Sequence, residues 1–296
     1  MTHVNKNLFY ILLVFAMLGW GGSWVNVKIL SNYINEYEMI YLRFFITAMT
    51  MIPIIMYLKK SLFISLRNLI LVLITSIAFI LYMKYFFLGT KLGTASLGGA
   101  FVTSLIPINT FLILALFRQK TITKKDSFAL VLGAVGVLTI LNVWSFNLQS
   151  VIVTQNLYFI LASIFWPIVT ILSSKALKIS PIVFTFYLYL ITTLLVWIFF
   201  VDLSHIEYEK FDSIFWINLL AITLFASTFA NTVYFLAVEK LGASGTSTFI
   251  FLVPFFAIIL SVIFLNEEIT LSIILGTIMT LFAIKILNNI KFGQSK

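Results

Sequence analysis

The chain has 296 residues, of which 61% are hydrophobic and only 10% charged, against about 25% charged in an ordinary soluble domain. So apolar a chain cannot cover a water-facing surface with polar groups, which excludes a soluble enzyme, a disordered chain and a nucleic-acid-binding module. The net charge of +9 comes from 19 basic residues, and in a membrane chain their placement reads as an orientation signal before it reads as a polyanion-binding surface.

A membrane helix needs about 20 mostly apolar residues. Ten such runs follow one another, at 8–27, 37–58, 68–89, 95–117, 127–144, 157–174, 181–201, 214–237, 245–265 and 270–287. Lys6 precedes the first run, as in a signal peptide. That run is too long for a signal sequence and carries no small-residue cleavage site, so it is expected to be retained. The connections are short, which leaves no room for a soluble domain. With the N-terminus placed in the cytoplasm, fourteen of the 19 basic residues fall in cytoplasmic segments and eight of the ten acids fall on the opposite side. Both termini are therefore expected inside, in a multi-pass protein of the cytoplasmic (inner) membrane, with 202–212 as the longest outer polar stretch. The chain has no Cys, and His3 and His205 lie outside the runs. No disulfide, metal site or cofactor is expected.

In chain order, the first run holds Trp20-Gly21-Gly22-Ser23. Glycine permits close approach and weakens a helix, so Gly21 and Gly22 read either as a flexible, cavity-lining stretch beside Trp20 or as a helix-packing patch. The second run holds Arg43 and the third holds Lys84, the two charges that fall clearly inside spans. A charge within the membrane is a functional hypothesis by default. For Arg43 a structural role is expected, paired with Glu36 or Glu38. Lys84, beside Tyr85, is expected to attract a carboxylate or other anion.

Ala78, Tyr82, Tyr85 and Gly89 share one face of the third run. This face reads as half of an amphipathic pocket or as part of the interfacial aromatic belt. The fourth run adds Thr103, Ser104, Pro107 and Asn109, whose hydroxyls can bond either a ligand or their own helix backbone. The sixth run holds Trp166-Pro167, where proline frees a carbonyl and produces a kink or a hinge. The eighth presents Ser227, Asn231, Tyr234 and Val238 on one face, and the ninth region holds Thr246, Ser247, Thr248 and Pro254.

The two halves resemble each other. Tyr85-Phe86 with Lys91-Leu92-Gly93 recurs as Tyr234-Phe235 with Lys240-Leu241-Gly242, at an offset of 149. Trp20 recurs as Trp166, Pro107 as Pro254, Ile122-Thr123 as Ile269-Thr270 and Leu132-Gly133 as Leu275-Gly276, at offsets of 143 to 147. The expected organisation is one integral membrane domain built from a five-helix repeat in 1–148 and a second in 149–296. A unit with an odd number of crossings places its second copy upside down. That inverted repeat is a construction secondary transporters use, with the substrate near the midplane.

Leu18-Gly19-Trp20-Gly21-Gly22-Ser23, Leu42-Arg43-Phe44, the stretch 82–107, Phe165-Trp166 and the stretch 234–270 ending in Asn266-Glu267-Glu268-Ile269-Thr270 resemble the drug/metabolite transporter superfamily, in its EamA-type ten-helix form. The resemblance implies an all-α membrane protein and a non-enzymatic transporter of small metabolites. Amino acids or their relatives are the expected substrates, moved outward by alternating access. Relatives with the same fold also take up nucleotide-like metabolites such as S-adenosylmethionine. A scaffold or a membrane-embedded enzyme is the alternative of another class, and the spans lack the acids, His or Cys an enzyme would need. The resemblance places the first, third, fourth, sixth, eighth and ninth helices around the pathway. On that basis Trp20, Tyr82, Lys84, Tyr85, Thr103, Trp166, Asn231, Tyr234 and Thr248 are the expected substrate contacts. Gly21, Gly22, Pro107, Pro167 and Pro254 are the expected hinges. The expected partners are a small metabolite and the lipid bilayer, with no nucleic acid, in a monomer or weak dimer. One departure stands out. The family usually carries an acid after the fourth helix, as Glu267 follows the ninth, and this chain has Lys120 near that place.

Overall fold

The structure is a computed structural model and describes residues 6–118, 122–145, 152–176, 179–241 and 248–287. Those residues are helical with short connections. The helices are α1 (Lys6–Leu30), α2 (Glu36–Tyr57), α3 (Leu66–Leu92), α4 (Ala95–Leu116), α5 (Lys124–Ile140), α6 (Thr154–Ser173) and α7 (Pro181–Phe200). α8 runs without a break through Ser213–Leu220, a π-helical stretch Ala221–Phe229, and Ala230–Leu241. α9 (Leu252–Leu265) and α10 (Leu271–Leu287) complete the described chain. Seven of these helices are long and apolar enough to cross a bilayer, namely α1 to α4, α6, α7 and the part of α8 spanning Ser213–Tyr234. α9 and α10 are shorter apolar helices.

Local chemistry sets the helix ends. Asn35 caps α2 by accepting from the Tyr37 and Glu38 N–H groups, and Glu38 returns the bond to the Asn35 N–H at 2.9 Å, which is a capping box. Thr123 and Asp126 do the same for α5. Ser65, Thr94 and Asp212 cap α3, α4 and α8, and Pro181 opens α7 at a position where its missing N–H costs nothing. Left-handed residues Lys59, Arg118, Asn142 and Asn266 follow the ends of α2, α4, α5 and α9. The ninth run begins at residue 245; among the described residues its α-helix starts at Leu252, after a 3-10 turn Thr248–Phe251. This puts Pro254 in its first turn, where proline is tolerated.

The outward faces are apolar. Phe128 and Val131 of α5, Ile198 and Phe199 of α7, and Ile263 and Phe264 of α9 are each more than 60% exposed. Outward faces of that kind suit hydrocarbon and not water. The interior, by contrast, buries many Ser and Thr hydroxyls, and Thr47, Thr50, Thr75, Thr90 and Thr223 each return a bond to their own helix backbone.

α3 packs on α6, α1 on α8 and α9, α4 on α6 and α9, α2 on α7, and α5 on α10. The α5–α10 crossing is backbone-close. A side-chain carbon added at Gly276 would stand 2.5 Å from the Gly136 carbonyl oxygen, so only glycine allows this approach. On the side holding 202–212, two short 3-10 turns, Leu203–His205 and Tyr208–Lys210, connect α7 to α8. There Asp202 accepts from the Ser204 N–H and hydroxyl, which hold its carboxyl below the usual range. Tyr33, between α1 and α2, donates to the Asp212 carboxylate at 3.0 Å and so ties that turn to the start of α8. Desolvation first, and the neighbouring carboxylate second, hold the Tyr33 hydroxyl above its ordinary range.

Candidate functional site

The centre of the fold is assembled on α8. Its π-helical stretch ends at Phe229, and Asn231 follows within one turn. Extra-wide turns of this kind interrupt the regular ladder and re-aim the side chains after them, often at functional sites. The Trp20 indole N–H of α1 donates to the Asn231 side-chain oxygen at 3.1 Å. The Asn231 amide in turn donates to the Tyr189 hydroxyl of α7. Tyr234, one turn further on, lays its ring 5.1 Å from that of Trp20 at 45°. Three helices from both halves thus converge on a single carboxamide, which uses a donor and its acceptor at once.

The pseudo-equivalent pair is also in contact. Trp166 corresponds to Trp20, and Tyr82 corresponds to Asn231 at the offset of 149. The Tyr82 and Trp166 rings stand 4.7 Å apart at 55°, so the partners match although the contact is aromatic and not a hydrogen bond. Phe79 lies 6.3 Å from Trp166 and 5.8 Å from Tyr189. Phe44 stacks on Tyr189 at 4.7 Å. The result is a cluster of aromatic rings from α1, α2, α3, α6, α7 and α8 around a few polar tips.

Arg43 differs from its sequence expectation. Glu38 is committed to the α2 capping box, and the Arg43 side chain runs inward. Its Nε donates to the Ser227 hydroxyl at 3.0 Å, Nη1 lies 3.9 Å from the Met83 sulfur, and the guanidinium sits 5.1 Å from the Phe44 ring centre. Lys84 goes the other way. Its Nζ donates to the Tyr37 hydroxyl at 3.1 Å near the start of α2, where Tyr37 stacks on Phe200 at the end of α7. Long aliphatic stems let lysine reach a rim in this manner. Tyr85 stacks on Tyr158 and Phe165 of α6, so with Tyr82 on Trp166 the expected face of α3 lies against α6.

Thr103 donates to the Gly99 carbonyl of its own helix. The side chain of Thr248 lies outside the described residues, as do Thr246 and Ser247. Gly21 packs against α9: an added side-chain carbon would stand 2.5 Å from the Phe256 Cβ and 2.9 Å from the Ala257 nitrogen. Gly22 has only ordinary contact with Leu260, at 3.4 Å. The packing role of Gly21 is therefore geometric. Pro107 and Pro167 sit inside helices that continue past them. Pro167 lacks the N–H that would bond the Ser163 carbonyl four residues earlier. Asn109 of α4 supplies the missing donor, at 3.0 Å to that carbonyl and 2.9 Å to the Ser163 hydroxyl.

The α3–α4 corner carries its own charge pattern. Lys28 of α1 donates to the Lys91 and Gly93 carbonyls at 2.8 and 2.6 Å, at the C-terminus of α3. Glu267, just after α9, accepts from the Ala95 and Ser96 N–H groups at 2.7 and 2.8 Å and from the Ser96 hydroxyl at 2.6 Å, at the N-terminus of α4. A cation on a helix C-terminus and an anion on an N-terminus both complement the helix dipoles.

The residues that sequence reasoning missed are Tyr189 and the Asn109–Ser163 pair as a unit. A tyrosine nine residues into a 20-residue apolar run, away from either interface, was the available signal. Among the described residues no group of three or more His, Cys, Asp or Glu side chains comes together to hold a metal.

A family model described as the EamA-like transporter family matches the chain twice, over residues 7–142 and 154–289. No curated protein matches it. A solved crystal structure, described only as that of a protein, is 15% identical over 95% of this chain and 96% of its own, with a TM-score of 0.62. That likeness is one of fold.

Proposed function

The chain belongs to the EamA-like transporter family, and from that premise we propose that it moves small metabolites, amino acids or their relatives, outward across the cytoplasmic membrane by alternating access. The single observation that carries this reading is the Trp20–Asn231–Tyr189 chain of hydrogen bonds beside aromatic rings contributed by both halves. Trp20, Tyr82, Trp166, Asn231 and Tyr234 are the proposed substrate contacts, with Lys84 and Tyr85 on the approach. Pro167, with its displaced bond to Asn109, is the proposed hinge.

The proposed architecture is ten crossings in two inverted repeats, with both termini in the cytoplasm. Exchanging the halves turns the α3–α6 packing into α8–α1 and the α4–α6 packing into α9–α1, and leaves α2–α7, α4–α9 and α5–α10 as self-related pairs. That correspondence supports a two-fold relation between the repeats. The basic residues support the orientation. Because the chain has no Cys, single cysteines placed at Glu207 and Lys124 report sidedness without background. Labelling from opposite sides is the expected outcome.

Transport is tested with the purified protein in liposomes, given labelled amino acids, S-adenosylmethionine and a cationic dye in turn. Amino acid flux above protein-free liposomes is expected. Flux of the dye or of S-adenosylmethionine in its place would overturn the assigned substrate class. An imposed pH gradient tests for proton coupling in the same vesicles.

A further inference from the structure

We propose that Arg43 is the binding group for a carboxylate on the transported molecule, and that the substrate therefore binds beside the aromatic cluster as an acid or a zwitterion. The inference starts from a buried charge with no opposite charge beside it. Arg43 is 8% exposed, and no carboxylate among the described residues reaches it. Its terminal nitrogens make no hydrogen bond to an oxygen among those residues; Nη1 has the Met83 sulfur at 3.9 Å as its hydrogen-bond partner. A guanidinium has five N–H donors in a fixed fork that suits a carboxylate bidentately. Burying such an ion without a counter-charge is strongly unfavourable, and proteins retain it where a function uses it. The neighbours that hold it, the Ser227 hydroxyl and the Phe44 face, orient the fork without neutralising it.

Location ties this charge to the site. Ser227 lies in the π-helical stretch of α8, four residues before Asn231, or about 6 Å along the axis. Phe44, the residue after Arg43, stacks on Tyr189, which is the acceptor for Asn231. A small amino acid can place its carboxylate on Arg43 and its ammonium against the aromatic faces near Asn231, where cation–π attraction is available. The proposal rests on the transport reading for its setting, but its test measures binding separately from flux.

The test uses full-length protein in detergent and the same protein in liposomes. The ligands are leucine, phenylalanine and threonine, each paired with its amide, which keeps the shape and loses the carboxylate. Thermal unfolding reads binding, because a ligand specific for the folded state raises the midpoint. At least one acid is expected to stabilise the wild type while its amide does not. Arg43→Gln is expected to weaken that binding at least tenfold, with partial rescue by Arg43→Lys. Ser227→Asp is a second variant that supplies the missing counter-charge from within. It is expected to raise the melting temperature of the ligand-free protein and to abolish the response to the acid.

The proposal is overturned if no acid stabilises the wild type or if the amide binds as well. It is also overturned if Ser227→Asp lowers the melting temperature and keeps the ligand response. Binding that responds to these variants without any flux in liposomes would instead sink the transport reading and leave Arg43 as an anion site. Flux with unchanged binding in Arg43→Gln would do the reverse.

Discussion

The Trp20 indole and the Asn231 carboxamide are joined by a 3.1 Å hydrogen bond between α1 and α8, and through Asn231 the bond continues to Tyr189 of α7. Three helices that diverge in sequence by up to 211 positions are fixed to one another at a single polar point inside an apolar fold. Replacing Asn231 by Leu leaves an indole N–H and a phenol without their partner. Polar contacts between membrane helices are individually modest, so the expected loss of stability is about 1 kcal/mol. The expected loss of transport is larger, about tenfold or more, because Asn231 is proposed both to hold the aromatic cluster together and to meet the ligand. Thermal unfolding and liposome flux measure the two effects separately. Equal small effects on both would reduce Asn231 to a packing residue.

The second prediction concerns Pro167 and Asn109. Asn109→Ala removes the donor that serves the carbonyl freed by Pro167, at an expected cost of about 1 kcal/mol. Pro167→Ala restores an N–H within α6, so the regular helical bond can form and Asn109 keeps only its bond to the Ser163 hydroxyl. In that background Asn109→Ala is expected to cost at least about 0.5 kcal/mol less. Additive costs in the double-mutant cycle would show that the two residues act independently.

Gly21 and Gly22 are adjacent and should respond differently. Gly21→Ala drives a methyl group into the Phe256 Cβ and the backbone of Ala257, neither of which can rotate away. The expected destabilisation is about 1–3 kcal/mol. Gly22→Ala meets the end of the Leu260 side chain at 3.4 Å, which is ordinary contact, and should stay within about 0.5 kcal/mol. Melting temperatures of the two variants decide this. Equal tolerance would mean that α1 and α9 do not hold the close approach described.

Glu267 secures the start of α4 with three accepted hydrogen bonds. Glu267→Ala is expected to cost about 0.5–2 kcal/mol, as for loss of other helix caps. The diagnostic readout is amide hydrogen exchange, which should speed up at Ala95 and Ser96 while the α5–α10 contact stays protected. Unchanged exchange at those two amides would remove the capping role. The missing acid near Lys120 was a puzzle in the sequence. Its counterpart Glu267 acts as a local cap, so its loss in one repeat deprives one helix start of a capping anion and leaves the rest of the fold intact.

Much of the molecule was legible before any coordinates. Apolar runs predicted the long helices because each crossing must satisfy its own backbone in hydrocarbon. The face of Ser227, Asn231 and Tyr234 was legible because amides and hydroxyls in an apolar run need an interior partner. Each of the three does point to a neighbour from another helix or, for Tyr234, to the Trp20 ring. The rotation of α2 and α3 was not legible. Arg43 turned inward to Ser227 and Lys84 turned to Tyr37, opposite to what their neighbours in sequence suggested.

Composition, apolar runs and recurring motifs therefore determined a membrane protein with long apolar helices and two repeats, and offered an orientation to test. Tertiary structure alone decided that Glu38 was spent on a cap, that Asn109 serves the carbonyl freed by Pro167, and that Tyr189 belongs to the central cluster. The physical reason lies in the solvent. In water a helix declares its inner face by an apolar stripe. In a bilayer the lipid is as apolar as the core, so both faces read alike and only the packing of one helix on another selects which side chains meet.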